Sequence, residues 1–224
     1  MKTETLYLLT SKWDGCETND LLDKEVNSPW FCKNCSRSFD GIKQIDALID
    51  DDTNLSKQKP LTLVVGFVNR MYLWHQELLW EEFLKPIPPH ILKRDMYLGD
   101  VFRQDKTLIE GWRTYRCRYN LFLRGTKNIS QVTVCKDCGL VRYWAAGKLF
   151  VYPNPPEDAD IFECSGLLMR ESVYHLLDME KWKKKIYVQK VVVAPVPLDG
   201  LELPQFRIPR DFEWIKKHQE LERL

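Results

Sequence analysis

Two Cys-x-x-Cys pairs constrain this chain more than any other feature: Cys32-Lys-Asn-Cys35 and Cys135-Lys-Asp-Cys138-Gly139. Two intervening residues let both thiolates of a pair turn toward one ion. Gly139 supplies the backbone freedom that such a turn often needs. Together Cys32, Cys35, Cys135 and Cys138 can complete a closed tetrahedral site for Zn²⁺, with Zn–S distances of about 2.3 Å. The 99 residues between Cys35 and Cys135 depart from a compact site, which usually spans roughly 12–20. The intervening chain is then an insertion, and the ion a staple between segments distant in sequence. That predicts one integrated domain over 1–224. A closed site of four thiolates has no open position for water or substrate, so its role is structural. Two alternatives stay open: redox chemistry at one pair, and chance spacing with one pair holding no ion. Neither CKNC nor CKDC is followed by the helical run of a thioredoxin-like motif.

Cys16, Cys117 and Cys164 are left over from the total of 7 cysteines. Cys117 reads as a core residue on a strand, Cys164 as a small buried hydrophobe, and Cys16 as an exposed thiol in a polar segment. An odd count in a chain of 224 residues does not suggest a secreted disulfide scaffold. The first 16 residues hold an apolar stretch of only four or five before Lys12 and Asp14, whereas a secretory signal needs roughly 7–15. The longest apolar stretch elsewhere, Leu61 to Val68, is broken by Thr62 and Gly66 and falls far short of the roughly 20 residues of a membrane span. The expectation is a cytoplasmic protein with reduced thiols.

The periodicities predict a mixed α+β fold. Glu4 to Leu9, Leu61 to Val68, Met96 to Arg103, Trp112 to Leu123, Asp160 to Cys164 and Ile186 to Pro195 read as strands. Helices are expected over Ile42 to Asp52, over 71–84 (Met71, Trp74, Leu78 and Phe83 form a stripe) and over Glu171 to Lys183. Pro86, Pro88 and Pro89 read as the stop of the second helix. Two strand-helix-strand units, 61–123 and 160–195, are thus expected around a mixed sheet. Segments 1–60 and 124–152 would carry zinc-ribbon-like knuckles, and 196–224 a helical tail.

No readable catalytic constellation accompanies the cysteines. His75, His90, His175 and His218 form neither HExxH nor a spaced ligand pair, and there is no nucleophile elbow, Walker loop or dinucleotide fingerprint. Lys+Arg at 33 against Asp+Glu at 32 gives a net charge of +1, which disfavours a broad nucleic-acid face. Local patches remain candidates. Arg113, Arg116 and Arg118 lie near strand aromatics, and Lys181-Trp-Lys-Lys-Lys185 is a dense basic run whose plain reading is a helix C-terminus. Asp50, Asp51 and Asp52 read as a solvated turn or a rim charge. Trp74, Trp80 and Trp144 read as core, and any exposed tryptophan as part of a protein interface.

The layout resembles the bacterial double-CxxCG motif proteins, which belong with the immunity proteins of polymorphic toxin systems. Cys32, Cys35, Cys135, Cys138, Gly139, Asp160 and Phe162 carry the resemblance, over most of residues 1–195. Here Ser36 stands where the first pair would have glycine, and the chain past Pro195 is longer than the resemblance predicts. The resemblance implies a non-enzymatic protein that binds and neutralises a cognate protein toxin, with one structural zinc. Two other classes stay open: a zinc-ribbon nucleic-acid binder presenting Lys33, Arg37, Lys136 and Arg142 to phosphates, and an enzyme with a scattered site.

Overall fold

The apolar run Leu6-Tyr-Leu-Leu9 is buried at every residue, as a strand covered on both faces must be. It lies in β1 (Thr5–Thr10), near the middle of an open six-stranded sheet. A computed structural model describes residues 4–10, 13–18, 47–49, 55, 61–66, 70–75, 81–128, 132–137, 141–142, 145–164 and 166–203. The six strands of this sheet run β12-β13-β1-β14-β11-β8. They are β8 (Arg124–Asn128), β11 (Ala145–Val151), β12 (Ile161–Glu163), β13 (Leu167–Arg170) and β14 (Tyr187–Val193), with β1 between β13 and β14. All pairings are antiparallel except β11 with β14.

Alternation along these strands separates two cores. Tyr7, Leu9, Ile161, Leu167 and Met169 point to one face, and Leu6, Leu8, Phe162, Leu168 and Val191 to the other. Successive side chains of a strand leave opposite faces, so β1, β12 and β13 each feed both cores. The sheet is mixed and carries short helices, so the α+β class holds.

The second sheet is a closed barrel in the order β2-β3-β6-β7-β5-β4. Its strands are β2 (Trp13–Thr18), β3 (Ala47–Ile49), β4 (Leu61–Gly66), β5 (Arg70–His75), β6 (Met96–Arg103) and β7 (Leu108–Cys117). Closure leaves no unpaired edge. Ile49, Val101 and Trp112 form a small buried cluster with Leu55 and Ile109 packed against it. The first core draws Met96, Tyr115 and Cys117 from β6 and β7 against Tyr7 and Met169 of the six-stranded sheet, so both sheets contribute to it.

Several expectations are corrected. The helix over 71–84 is not formed at its start: Arg70–His75 is β5, paired with β4 and β7, and 81–83 is one π-helical turn. An unbroken run such as Met-Tyr-Leu-Trp satisfies both a helical stripe and a buried strand. Its aromatics favour the sheet once two neighbouring strands are present to pair with. Ala47–Ile49, expected within a helix, pairs in parallel with β6. Of the prolines read as a stop, Pro89 instead opens α1 (Pro89–Asp95) at its first turn, where the missing N–H costs nothing. The strand expected over Trp112 to Leu123 runs instead over Leu108–Cys117.

The helix expected over Glu171 to Lys183 is two short ones, α2 (Glu171–Tyr174) and α3 (Met179–Trp182). Val173, Leu177 and Trp182 all reach the core. At about 100° per residue, one straight helix would point Trp182 about 140° away from Leu177. The break lets both anchors bury. Finally, the two strand-helix-strand units do not share a sheet: the strands of the first belong to the barrel, those of the second to the six-stranded sheet.

Candidate functional site

The second cysteine pair belongs to a hairpin. β9 (Thr133–Val134) and β10 (Val141–Arg142) pair antiparallel, with Val134 opposite Val141 and Thr133 opposite Arg142. The connection between them, 135–140, is the segment CKDCGL. Cys135 follows the last paired residue and is half-buried, and Lys136 and Asp137 form an exposed turn. A soft sulfur donor on the shoulder of a short hairpin fits one corner of a Zn²⁺ site. Cys32, Cys35, Cys138 and Gly139 lie outside the described residues. No cluster of three or more His, Cys, Asp or Glu placed for a metal occurs among the described residues. Of the other cysteines, Cys117 is fully buried in the core, as expected, and Cys164 is half-buried with its Sγ 3.6 Å from the Gly166 carbonyl oxygen. The Cys16 side chain lies outside the described residues.

Asp160 and Phe162 act as joints. Phe162 is fully buried in the second core, with the Arg170 guanidinium 5.6 Å above its ring. Asp160 accepts a 2.6 Å hydrogen bond from Arg94 Nη2. Arg94 also donates through Nε and Nη2 to both carboxylate oxygens of Asp95, at 2.6 and 2.8 Å. The Asp95 and Asp160 carboxylates hold the Arg94 guanidinium above its ordinary range, against the opposing effect of burial. Asp95 is fully buried and accepts the backbone N–H groups of Asp160 and Ile161 at 2.8 and 3.0 Å. The end of α1 is thereby bolted to the start of β12. Arg170 donates to the carbonyls of Ala159 and Pro156 and pairs with Glu4, so it ties the loop before β12 to the chain entering β1.

Two further buried pairs were not legible in the sequence. Arg116 on β7 donates to Glu163 on β12 at 3.0 Å, and the second Glu163 oxygen accepts the Cys117 N–H at 3.0 Å. Arg124, fully buried between Phe150 and Tyr152, pairs with Asp199 and donates to the Leu201 carbonyl. It straps the segment after β14 onto the sheet. Each pair joins residues 47 or 75 positions apart, a separation that carries no local pattern.

The candidate basic surfaces look different once their partners are seen. Arg113 pairs with Asp100, Arg116 with Glu163 and Arg118 with Asp158. Each of these guanidiniums thus already faces a carboxylate from another element. In the lysine run, Lys181 pairs with Glu82 and Lys183 with Glu180. Lys181 and Lys185 lie about equally far from the Trp182 ring, at 5.4 and 5.5 Å, and Trp182 itself is buried. The lysines close the end of α3, which is their plain reading. His90 and His175 are exposed. Lys136 is exposed, whereas Lys33, Arg37, Trp80, Trp144, His218 and Asp50 to Asp52 lie outside the described residues. No family model matches the chain, and no curated protein matches it. No helix is long and apolar enough to cross a membrane among the described residues.

Proposed function

We propose that this protein is a zinc-stapled immunity protein that binds and neutralises a cognate bacterial toxin in the cytoplasm, and that it is not an enzyme. The observation that carries the reading is the β9–β10 hairpin, whose six-residue connection holds the CKDCG knuckle with Cys135 at its shoulder. Cys32, Cys35, Cys135 and Cys138 would hold one Zn²⁺ and draw chain segments distant in sequence together. The densest charged clusters support a binding scaffold over a catalytic one. Arg94, Asp95, Arg116, Glu163, Arg124 and Asp199 satisfy backbone groups and one another at the joints between elements. Rigid joints present a pre-formed surface, which limits the entropy lost on binding.

Metal analysis of the purified full chain should give about one zinc per chain. Cys138→Ser should lower that ratio below half and lower the melting midpoint, because structural zinc contributes folding free energy. Metal-free protein with unchanged melting refutes the staple. The partner is tested by co-expression with any toxin reading frame found beside this gene. Survival of the host with the intact chain, and not without it, is the expected result. Growth arrest despite abundant folded protein refutes the immunity reading.

A further inference from the structure

Among the described residues, the six-stranded sheet opens along one seam. Strand β14 pairs with β1 over its whole length, Thr10 opposite Tyr187 through Thr5 opposite Val192. On its other side the ladder to β11 holds only Phe150 opposite Val192 and Val151 opposite Val193. The Val193 N–H donates to the Glu4 carbonyl. In an antiparallel ladder the bonded residues alternate, so Gln189 and Val191 also face β1. Val188 and Lys190 therefore turn their N–H and C=O groups to the side that β11 leaves.

The reason lies in β11. Its register against β8 slips between Ala146 and Leu149, at a bulge where Gly147 has φ +78°. A bulge bends its strand, and the ladder to β14 starts only beyond it, at Phe150. The opposite end of the sheet shows a covered edge: on β12, Glu163 donates its N–H to the Tyr119 carbonyl, and its own carbonyl accepts the Leu121 N–H. Tyr187, Val188, Gln189 and Lys190 are all exposed. A lysine stands on each side of the opening. Lys190 lies two residues before Val192, and Lys148 two residues before Phe150, its partner in register. Both are exposed, and neither is joined to a carboxylate among the described residues; the Lys190 ammonium lies 5.8 Å over the Tyr7 ring of the neighbouring strand β1. Two cations without a carboxylate, flanking outward strand groups, call for a strand that brings carboxylates with it.

We infer that the open edge of β14 at Val188 and Lys190 takes an extended acidic segment of a partner protein as an added strand. The backbone of the segment supplies the ladder, and its carboxylates sit between Lys148 and Lys190. The inference rests on the strand register and the two lysines, not on the immunity reading, and it stands or falls without a toxin in hand.

The probe is a capped peptide, Glu-Val-Glu-Thr-Glu-Val-Glu, added to the full-length chain. Amide exchange of Val188 and Lys190 should slow by about tenfold or more, with no change at Gln189, already bonded to β1. The same peptide N-methylated along its backbone should not bind. Val188→Pro removes an outward N–H and no bond to β1, and should abolish the protection at Lys190. Lys148→Glu with Lys190→Glu, which leaves the backbone intact, should transfer preference to the lysine counterpart of the peptide. Equal binding of the N-methylated peptide, protection confined to other strands, or a preference unmoved by the charge reversal each overturn the inference.

Discussion

The Arg116–Glu163 pair offers the sharpest test of how the two sheets are held together. Arg116 lies on barrel strand β7 and Glu163 on β12 of the six-stranded sheet, with side chains only 4% and 10% exposed. With charge centres about 4 Å apart and an effective dielectric of about 20, their attraction is about 4 kcal/mol. Most of that offsets the desolvation of both groups, so the pair as a whole adds little net stability. Removing one partner is different, because it takes the buried countercharge from the other. Glu163→Gln keeps an oxygen for the Cys117 N–H but turns an amide donor toward the guanidinium. It should destabilise the fold by about 3–5 kcal/mol, a fall in melting midpoint of about 10 °C for a chain this size. Adding Arg116→Met to that variant removes the buried cation as well and should restore at least half of the loss. Urea unfolding of the wild type, both single variants and the double variant measures the coupling. A double variant no better than the sum of the singles would falsify the reasoning.

Other expectations follow from single contacts. Phe162→Ala empties a fully buried site beneath Arg170 and should lower stability by about 3–5 kcal/mol in denaturant melts; a loss under about 1 kcal/mol would show that the site collapses freely. Gly166→Ala would place a Cβ 2.6 Å from the Leu9 carbonyl oxygen, a backbone atom that cannot swing aside. It should cost about 1–3 kcal/mol, and an unchanged unfolding midpoint would contradict that geometry. The Tyr7 phenol is pushed above its ordinary value by burial first, then by its hydrogen bond to Glu171. A folded value above the unfolded one of about 10 means stability present below pH 10 and lost as pH rises past it. Thermal melts should show that fall, and Tyr7→Phe, which keeps the ring stacked on Tyr174, should flatten it; identical alkaline limbs would count against this assignment.

Local patterns named three of the six strands of the open sheet, β1, β12 and β14. The buried run at Leu6 to Leu9, the strands at Asp160 to Cys164 and Ile186 to Pro195, and the turn at Gly166 each carry their own signal, because burial on a strand imposes apolar residues at fixed positions. The barrel was harder to read. Trp13–Thr18 is polar, and Ala47–Ile49 is too short to show a period. Arg70–His75 is apolar at consecutive positions and fits either element. The knuckle around Cys135 was legible as a motif, and so were Asp160 and Phe162 as marked residues. Their task as joints was not, since it depends on Arg94, Asp95 and Arg170, which no spacing connects to them.

The sequence by itself determined the element types wherever hydrophobic period and turn residues agree, the two Cys-x-x-Cys pairs, and the near balance of charge. Tertiary structure alone decided which charges are used up. Arg113, Arg116 and Arg118 look like one basic stripe along the chain, yet each ends on a carboxylate from another element. It also decided that the ladder between β11 and β14 begins only after the bulge at Gly147, with Val188 and Lys190 facing away from β1. The physical reason is common to both. Periodicity reports which face of an element is buried, whereas ion pairing and strand pairing depend on partners tens of residues away, whose positions only packing sets.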